Sequence, residues 1–296
     1  MIYIKLKIEK IYYIKMFLRK RAKINYQEED TMDIRSTSYW KKETTLSLKI
    51  NPEDCSMEKM FNNNISLKEE TKKLLLSDWT NGDWLLNINL EEIKISNKIK
   101  TLIAKIKYIY IAQSTMKEMY VDGFMDTFLH LLEFDDYPCL MYPQYEYFAD
   151  IWEDEQHIIA KSDFGILTEK HKMVIVIEDK TMENAKYSNN WKEDQILGEL
   201  FVAVHDTVRN YKDIVYPINI FAIRVVGTLF TFYKTIVDKE YVKETLKGYP
   251  KNNSMIVQRH PIVFDETYLT AYDICNKNDR ENILKCMSSI KDFLKN

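Results

Sequence analysis

Glycine and cysteine are scarce in this chain. The sequence has 296 residues with only six glycines, and none of these forms the GxxxxGK or GxGxxG loops that hold nucleotide phosphates, which argues against a nucleotide-dependent enzyme. The four cysteines, Cys55, Cys139, Cys275 and Cys286, lie far apart and form no CxxC pair. We therefore expect neither a zinc site nor a disulfide framework, and a reducing compartment is the default.

The sequence also lacks a long hydrophobic run. Lysines interrupt each stretch rich in isoleucine and tyrosine before it reaches the roughly 18 residues needed to cross a bilayer. Lys5 and Lys7 likewise interrupt the apolar segment that a secretory signal requires. We therefore expect no membrane span and an intracellular protein. The basic run RKRAK at 19–23 is typical either of a nuclear localisation signal or of a solvated surface, so nucleus and cytoplasm both stay open.

A strong excess of one charge is missing as well. The formal net charge is -3, so the chain is not the polycation that avid, non-specific nucleic-acid binding requires, and any contact with nucleic acid must be local. Hydrophobic residues make up 46% of the sequence and aromatic residues 13%. This is ample for the core of one large domain, or of one domain with extensions. The sequence leaves the oligomeric state open.

Regular patterns of strands and helices begin only in the second part of the chain. Residues 1–110 show turn signals but no organised pattern, and we interpret them as a poorly defined N-terminal extension. Residues 111–296 predict one domain in the order helix, three strands, helix, two strands, helix. The three strands are expected at 145–152, 157–167 and 172–180, the second helix at 191–208, and the last helix from Asn278 or Asp279. This order predicts an α/β fold with a mixed central β-sheet flanked by helices.

The run KMVIVIEDK begins as a buried strand and ends in three ionisable groups, Glu178, Asp179 and Lys180. Residues two apart in a strand share a face, so we expect Glu178 and Lys180 to point the same way. On the preceding strand, Asp163 is a charge within an apolar run, where an unpaired carboxylate would be costly. If the two strands are antiparallel neighbours joined near 168–172, Asp163 and Glu178 converge at one end of the sheet.

Two converging carboxylates supply the hard oxygen ligands that Mg²⁺ or Mn²⁺ prefers. We expect Asp163 and Glu178 as ligands, the Asp179 carbonyl as a third, and Lys180 beside the metal-bound water, where it orients the water or stabilises developing charge. This is the chemistry of phosphodiester hydrolysis. The alternative is an ordinary strand end, with an ion pair between Glu178 and Lys180 and with Asp163 bonded to nearby backbone.

The pattern of Asp163 followed by Glu178-x-Lys180 resembles the PD-(D/E)XK nuclease superfamily. Members of one type carry a glutamine in the next helix, where Gln195 stands, and often a glutamate in the first helix, for which Glu118 is the candidate. The stretches QILGELFVAV and IRVVGTLFTFYK resemble a divergent fungal family of this kind, associated with Crinkler-type effector modules. The resemblance implies a restriction-endonuclease-like core, which is a four-stranded mixed sheet between helices. It also implies cleavage of DNA or RNA that depends on Mg²⁺ or Mn²⁺.

Four further positions bear on this hypothesis, and the first of them is a departure from the family pattern. Ser162 stands where the name-giving proline would be, which affects the turn geometry before Asp163. Gly198 lies within the predicted second helix, where it costs about 1 kcal/mol relative to alanine, and this favours a close approach of the helix to the sheet. Arg224 and Lys234 are interpreted either as contacts to backbone phosphates or as strand-end cations anchored in solvent.

Three functions remain as hypotheses at this point. The first is a metal-dependent nuclease. The second is a catalytically inactive nuclease-fold module that binds protein or nucleic acid, as an effector does. The third is a purely structural protein. The clustering of an aspartate, a glutamate and a lysine favours the nuclease, since an inactive copy gains nothing from three clustered charges.

Overall fold

The computed structural model of the chain describes residues 35–61, 67–112, 118–152, 156–169, 173–179, 193–263 and 270–295. Within these ranges, the description leaves out the side chains of Glu118 and of residues 176–179.

A mixed β-sheet forms the centre of the described part of the chain. Its eight strands are β1 (Ile50–Asp54), β2 (Cys139–Ile151), β3 (Gln156–Thr168), β4 (Met173–Asp179), β5 (Phe221–Val226), β6 (Leu229–Ile236), β7 (Met255–His260) and β8 (Tyr272–Asp273). The order across the sheet is β1-β7-β6-β5-β4-β3-β2, and β8 pairs with β6. The β1–β7 and β4–β5 pairs are parallel, and the other pairs are antiparallel.

Helices lie on both faces of this sheet. They are α1 (Lys42–Ser47), α2 (Met57–Phe61), α3 (Glu69–Lys72), α4 (Gly82–Asn87), α5 (Asn97–Ala112), α6 (Glu118–Leu131), α7 (Glu193–Asn210), α8 (Lys239–Lys247) and α9 (Lys277–Lys295). A short 3₁₀ turn, Thr37–Tyr39, precedes α1. Helices α5, α6 and α9 contribute side chains to one apolar core, and α7 and α8 contribute side chains to another.

These two cores follow from the alternation of side chains along the strands. On β5, Phe221 and Ile223 join the core that contains Phe124 of α6, whereas Ala222 between them joins the core that contains Phe201 of α7. We call these the α6-side core and the α7-side core. Each fully buried phenylalanine or isoleucine side chain in these cores stabilises the fold by about 1.5–3 kcal/mol relative to an exposed one.

The predicted α/β fold, with a mixed sheet flanked by helices, is confirmed. Strands β2, β3 and β4 are antiparallel neighbours, and the β3–β4 connection follows Thr168, close to the expected turn. Helix α7 is described from Glu193 to Asn210, which is two residues beyond the predicted end, and its predicted start at 191 lies outside the described residues. Strands β2 to β5 form a four-stranded mixed sheet, as the resemblance implies, but the whole sheet is wider because β6, β7, β1 and β8 extend it.

Residues before position 111 contribute to both cores. Ile50 of β1 lies in the α7-side core, and Ile103 of α5 lies in the α6-side core. Residues 1–34 lie outside the described residues, and the boundary of a nuclease-like domain at residue 111 stays a prediction. Among the helices that the structure describes, none is both long enough and apolar enough to cross a bilayer.

Candidate functional site

Asp163 lies at an interruption in the regular pairing of β3. The ladder between β3 and β4 ends at the pair Phe164–Val176, one residue from Asp163. The ladder between β2 and β3 continues on both sides but skips the position at which Gln144 and Asp163 would pair. The pairing register is the same on both sides of the skipped pair, so no residue is inserted and the interruption is not a β-bulge.

The core in which the buried side chains of β3 pack also changes at Asp163. Phe164 and Ile166 pack in the α6-side core, whereas Ile158 and Ala160 pack in the α7-side core. These four residues are an even number of positions apart, so a regular strand would place them all on one face. The strand therefore rotates by about half a turn around Asp163.

Strand β2 rotates at the matching place. Cys139 packs in the α6-side core, while Tyr147 and Ala149, an even number of positions further on, pack in the α7-side core. Because the pairing register of β2 and β3 is the same before and after this point, the two strands turn over together.

Gln144 contacts Asp163 directly at this rotation. Its side-chain Nε2 donates a hydrogen bond to Asp163 Oδ1 at 3.3 Å. The backbone of Gln144 has a φ of 53°, in the left-handed region that glycine normally occupies. This conformation costs a non-glycine residue about 1 kcal/mol. Gln144 is one of five non-glycine residues with a positive φ in the described part of the chain, and it contacts the predicted ligand Asp163. The sequence reasoning did not identify it.

Ser162 is buried beside Asp163, at the position of the name-giving proline. Its hydroxyl donates a hydrogen bond to the carbonyl of Phe164 at 3.1 Å, so this bond spans Asp163. The bond fixes the local backbone around the aspartate, and a proline ring cannot form it because it carries no donor.

The motif residues at the end of β4 and directly after it are described only in part. The backbone register places Glu178 opposite Val225 and Asp179 opposite Val226 on β5. Glu178 thus lies at the same end of the β3–β4 ladder as Asp163. The side chains of Glu178 and Asp179, and the whole of Lys180, lie outside the described residues, so their convergence with Asp163 stays a prediction.

Gln195 lies on α7 and binds a second carboxylate. Its Nε2 donates a hydrogen bond to Glu199 Oε1 at 2.9 Å, one helical turn away. Glu199 is 1% exposed and Tyr147 on β2 is 0% exposed. Burial raises the pKa of Tyr147 well above its ordinary value, and the negative charges of Glu199 and Asp163 raise it further. Glu199 and Tyr147 are buried polar groups that sequence reasoning missed, although the i,i+4 spacing of Gln195 and Glu199 could have indicated the contact between those two residues.

Polar contacts hold both ends of α7 in place. Near its start, Arg259 Nη1 contacts both carboxylate oxygens of Glu193 at 2.8 Å, and Arg259 Nε contacts Asp54 at 2.9 Å. Near its end, Asp206 accepts a hydrogen bond from the backbone N–H of Phe148 at 3.1 Å. The pKa of Asp206 is raised by burial, with this hydrogen bond opposing the shift. These contacts tie the helix that carries Gln195 to β1, β7 and β2.

Gly198 allows another segment to approach α7 closely, but that segment is not the sheet, which was the expected partner. A Cβ atom at Gly198 would lie 2.6 Å from the ring of Trp40 and 3.1 Å from Thr37. The glycine therefore accommodates the segment before α1 and not the sheet, and the expectation of a helix–sheet approach at this residue was wrong. Trp40 also packs against Phe201, with ring centroids 5.7 Å apart.

The other predicted residues, Glu118, Arg224 and Lys234, belong to α6, β5 and β6. Glu118 is the first residue of α6, and its side chain lies outside the described residues. Arg224 is 1% exposed, which places it inside the fold and not on an open phosphate-binding surface. Lys234 Nζ donates to the carbonyl of Met60 at 2.9 Å, and burial lowers its pKa. Neither cation lies where a strand end is anchored in bulk solvent.

The predicted metal ligands fit Mg²⁺ or Mn²⁺ by their donor chemistry. Asp163 is partly exposed, and carboxylate and carbonyl oxygens are the ligands that these ions prefer. Among the described side chains, no group of three or more His, Cys, Asp or Glu residues is arranged to hold a metal ion. The predicted ligand set also includes Glu178 and Asp179, whose side chains lie outside the described residues.

No family model matches the chain, and no curated protein matches it significantly.

Proposed function

We propose that this chain is a nuclease that uses Mg²⁺ or Mn²⁺ to hydrolyse phosphodiester bonds of DNA or RNA. The observation that carries the proposal is the position of Asp163. It lies at the rotation of β2 and β3, where the ladders are interrupted and the strained residue Gln144 donates to its carboxylate. The direct contact from a residue in a left-handed conformation is the feature that favours a positioned ligand over an ordinary strand-end aspartate.

The roles of the motif residues follow from their donor types. The carboxylates of Asp163 and Glu178 and the carbonyl of Asp179 would hold the ion. When bound there, the ion polarises a phosphoryl oxygen and lowers the pKa of a bound water. Lys180 orients that water and stabilises the negative charge that develops during the attack. Gln195 supports this arrangement from α7, and Glu118 stands at the start of α6 for a further polar contact.

The architecture is consistent with the PD-(D/E)XK resemblance. Strands β2 to β5 make a mixed four-stranded sheet, α6 packs against one face of it and α7 against the other. This supports a restriction-endonuclease-like core of the divergent, Crinkler-associated kind. The net charge of -3 favours local contact with nucleic acid over a broad basic surface. We place such an activity inside the cell, in the nucleus or the cytoplasm.

Calorimetric titration with Mg²⁺ and Mn²⁺ tests this proposal. The wild type should bind, and both Asp163→Asn and Glu178→Gln should lose binding because each removes a charged oxygen ligand. Asp150→Asn is the matched control, since Asp150 is a β2 carboxylate whose contacts are His157 and Arg209. It should bind like the wild type. Absence of binding by the wild type, or binding that both ligand variants retain, would contradict the proposal.

A further inference from the structure

A cavity of about 510 Å³ adjoins the α6-side core. Its lining comes from the segment around α3, from the residues that lead into α5 and from the end of α6. The floor is apolar, because Leu74 and Ile99 belong to the α6-side core and Ile95 and Leu131 pack against that core. A volume of this size, with an apolar floor and a few polar groups, is typical of a small-molecule site.

The carboxylates that line this cavity are already paired with lysines. Glu70 pairs with Lys73 at 2.6 Å. Glu133 pairs with Lys291, which is itself buried and also donates to the carbonyl of Leu132 at 2.7 Å. The hydrogen bond and charge of Lys291 hold the pKa of Glu133 below its ordinary value, so this carboxylate stays ionised and paired. Because both carboxylates have a cationic partner, a metal ion or an amine is disfavoured as the occupant.

Lys94 is the exception among the charges of the lining. It forms no hydrogen bond or ion pair with any residue that the structure describes. Ser96, two residues further on, also lines the cavity and is exposed. Its Oγ accepts a hydrogen bond from the backbone N–H of Ile99 at 3.4 Å, so its hydroxyl proton is available to another acceptor. The lining therefore offers one cation and one hydroxyl donor beside an apolar floor.

We propose that this cavity binds a small amphipathic carboxylate. Its hydrocarbon part would lie on the apolar floor, and its anionic group would accept from Lys94 and Ser96. Charge complementarity selects this occupant, because a single uncompensated lysine matches a monoanion, and a neutral apolar molecule would leave that lysine without a counter-charge. The proposal is independent of the nuclease activity, since the residues of the cavity do not belong to the nuclease motif.

Calorimetric titration of the full chain with octanoate tests the proposal. The wild type should bind octanoate. It should bind acetate more weakly by about tenfold or more, because acetate has no hydrocarbon part to cover the floor. It should bind octan-1-ol about fivefold more weakly than octanoate, because the alcohol carries no charge.

Two substitutions locate the site. Lys94→Gln should weaken octanoate binding by about fivefold and leave octan-1-ol binding unchanged. Lys98→Gln is the matched control, since Lys98 is an exposed lysine of α5 that does not line the cavity, and this variant should bind like the wild type. Ile95→Asn places a polar group in the floor and should weaken the binding of both octanoate and octan-1-ol. Thermal unfolding checks that each variant is folded.

Each contrary outcome overturns the proposal. Absence of octanoate binding by the wild type would do so, as would octan-1-ol binding as tight as that of octanoate. Full retention of octanoate binding by Lys94→Gln would show that the anion binds elsewhere. Equal losses in Lys94→Gln and Lys98→Gln would show a general effect of charge. If Ile95→Asn does not fold, the comparison of the two lysine variants decides alone, because both change an exposed side chain.

Discussion

Gln144 donates its side-chain amide to Asp163 from a left-handed backbone conformation, at the point where β2 and β3 rotate together. The contact joins two strands at a position that their ladder skips. A strained residue in direct contact with Asp163 favours a positioned carboxylate over a charge that merely ends a strand.

The strain at Gln144 predicts an order of stability between two variants. Gln144→Gly and Gln144→Ala both remove the amide contact, but only glycine adopts a φ of 53° without a steric penalty. We expect Gln144→Gly to be more stable than Gln144→Ala by about 1 kcal/mol in free energy of unfolding. Chemical denaturation of both variants measures the difference. Equal stability, or a more stable alanine variant, would show that the left-handed conformation is not maintained.

Gly165 predicts a steric conflict close to the same place. A Cβ atom at Gly165 would lie 2.6 Å from Cγ of Tyr145, near the root of a side chain that cannot easily move away. Gly165→Ala should therefore lower the free energy of unfolding by about 1–3 kcal/mol. The double variant Gly165→Ala with Tyr145→Ala should be less destabilised than the sum of the single variants, since the clash is then absent. Additive effects would contradict this contact.

His205 predicts a pH dependence of stability. It is buried, its Nε2 lies 3.0 Å from Thr245 Oγ1, and burial lowers its pKa from 6.5 to about 4. Between these two values the unfolded chain binds a proton that the folded chain excludes. The free energy of unfolding should therefore fall as the pH drops from 6.5 toward 4, with up to about 3 kcal/mol from this residue.

Denaturation curves across this pH range measure the effect of His205. His205→Gln cannot be protonated, so its free energy of unfolding should depend less steeply on pH than that of the wild type in the same window. If the two proteins show the same slope, the buried histidine is not the cause of the acid sensitivity.

Arg280 predicts a large loss of stability on substitution. Its guanidinium donates to the carbonyls of Ile274 and Leu75 at 3.0 and 2.9 Å, donates to the carbonyl of Trp79, and lies 4.0 Å from the centroid of the Trp79 ring. Arg280→Met leaves these buried carbonyls without a donor and should cost about 3 kcal/mol or more. Arg209→Met is the control, because Arg209 is half exposed and pairs with Asp150 at 3.2 Å.

The control variant Arg209→Met should lose no more than about 1 kcal/mol. A cost of similar size for the two arginine variants, measured by chemical denaturation, would show that the loop carrying Leu75 and Trp79 is not held by Arg280. This comparison also tests how firmly the residues before position 111 are joined to the last helix, α9.

The sequence was sufficient to predict the strands and helices whose apolar pattern is strong. The β-branched run of β4 and the amphipathic pattern of α7 gave bounds close to those in the structure. The run of β3 was also recognised, but its rotation was not. Ile158, Ala160, Phe164 and Ile166 keep one unbroken alternation in the sequence, so nothing in that pattern shows that the faces exchange at Asp163.

Elements before residue 111 were missed for two different physical reasons. In α5, Ile99, Leu102, Ile103, Ile106 and Ile109 recur at helical spacing, but the isoleucine- and lysine-rich composition of the whole region hid the pattern. In β1, only Ile50 is buried, and the parallel pairing with β7 determines the strand. Such pairing depends on tertiary contacts that local sequence does not encode.

Part of the candidate site was also beyond prediction from the sequence. Asp163 was identified because a charge in an apolar run is unusual. Gln144 was not, because left-handed residues are usually glycine, asparagine or aspartate and a glutamine gives no such signal. Tyr147 reads as an ordinary core residue in the sequence, and only the packing of α7 on β2 brings it close to Glu199.

The most direct test of the proposed nuclease is a cleavage assay with labelled single- and double-stranded DNA and RNA. The wild type should cleave at least one substrate in Mg²⁺ or Mn²⁺ and none after chelation. Lys180→Ala should keep Mg²⁺ binding but lose cleavage by about 100-fold or more, since it removes the group that stabilises developing charge. Lys161→Ala, at an exposed β3 lysine paired with Glu146, should cleave like the wild type. Metal binding without cleavage of any substrate would contradict the account and identify an inactive binding module, and so would cleavage that Lys180→Ala leaves unchanged.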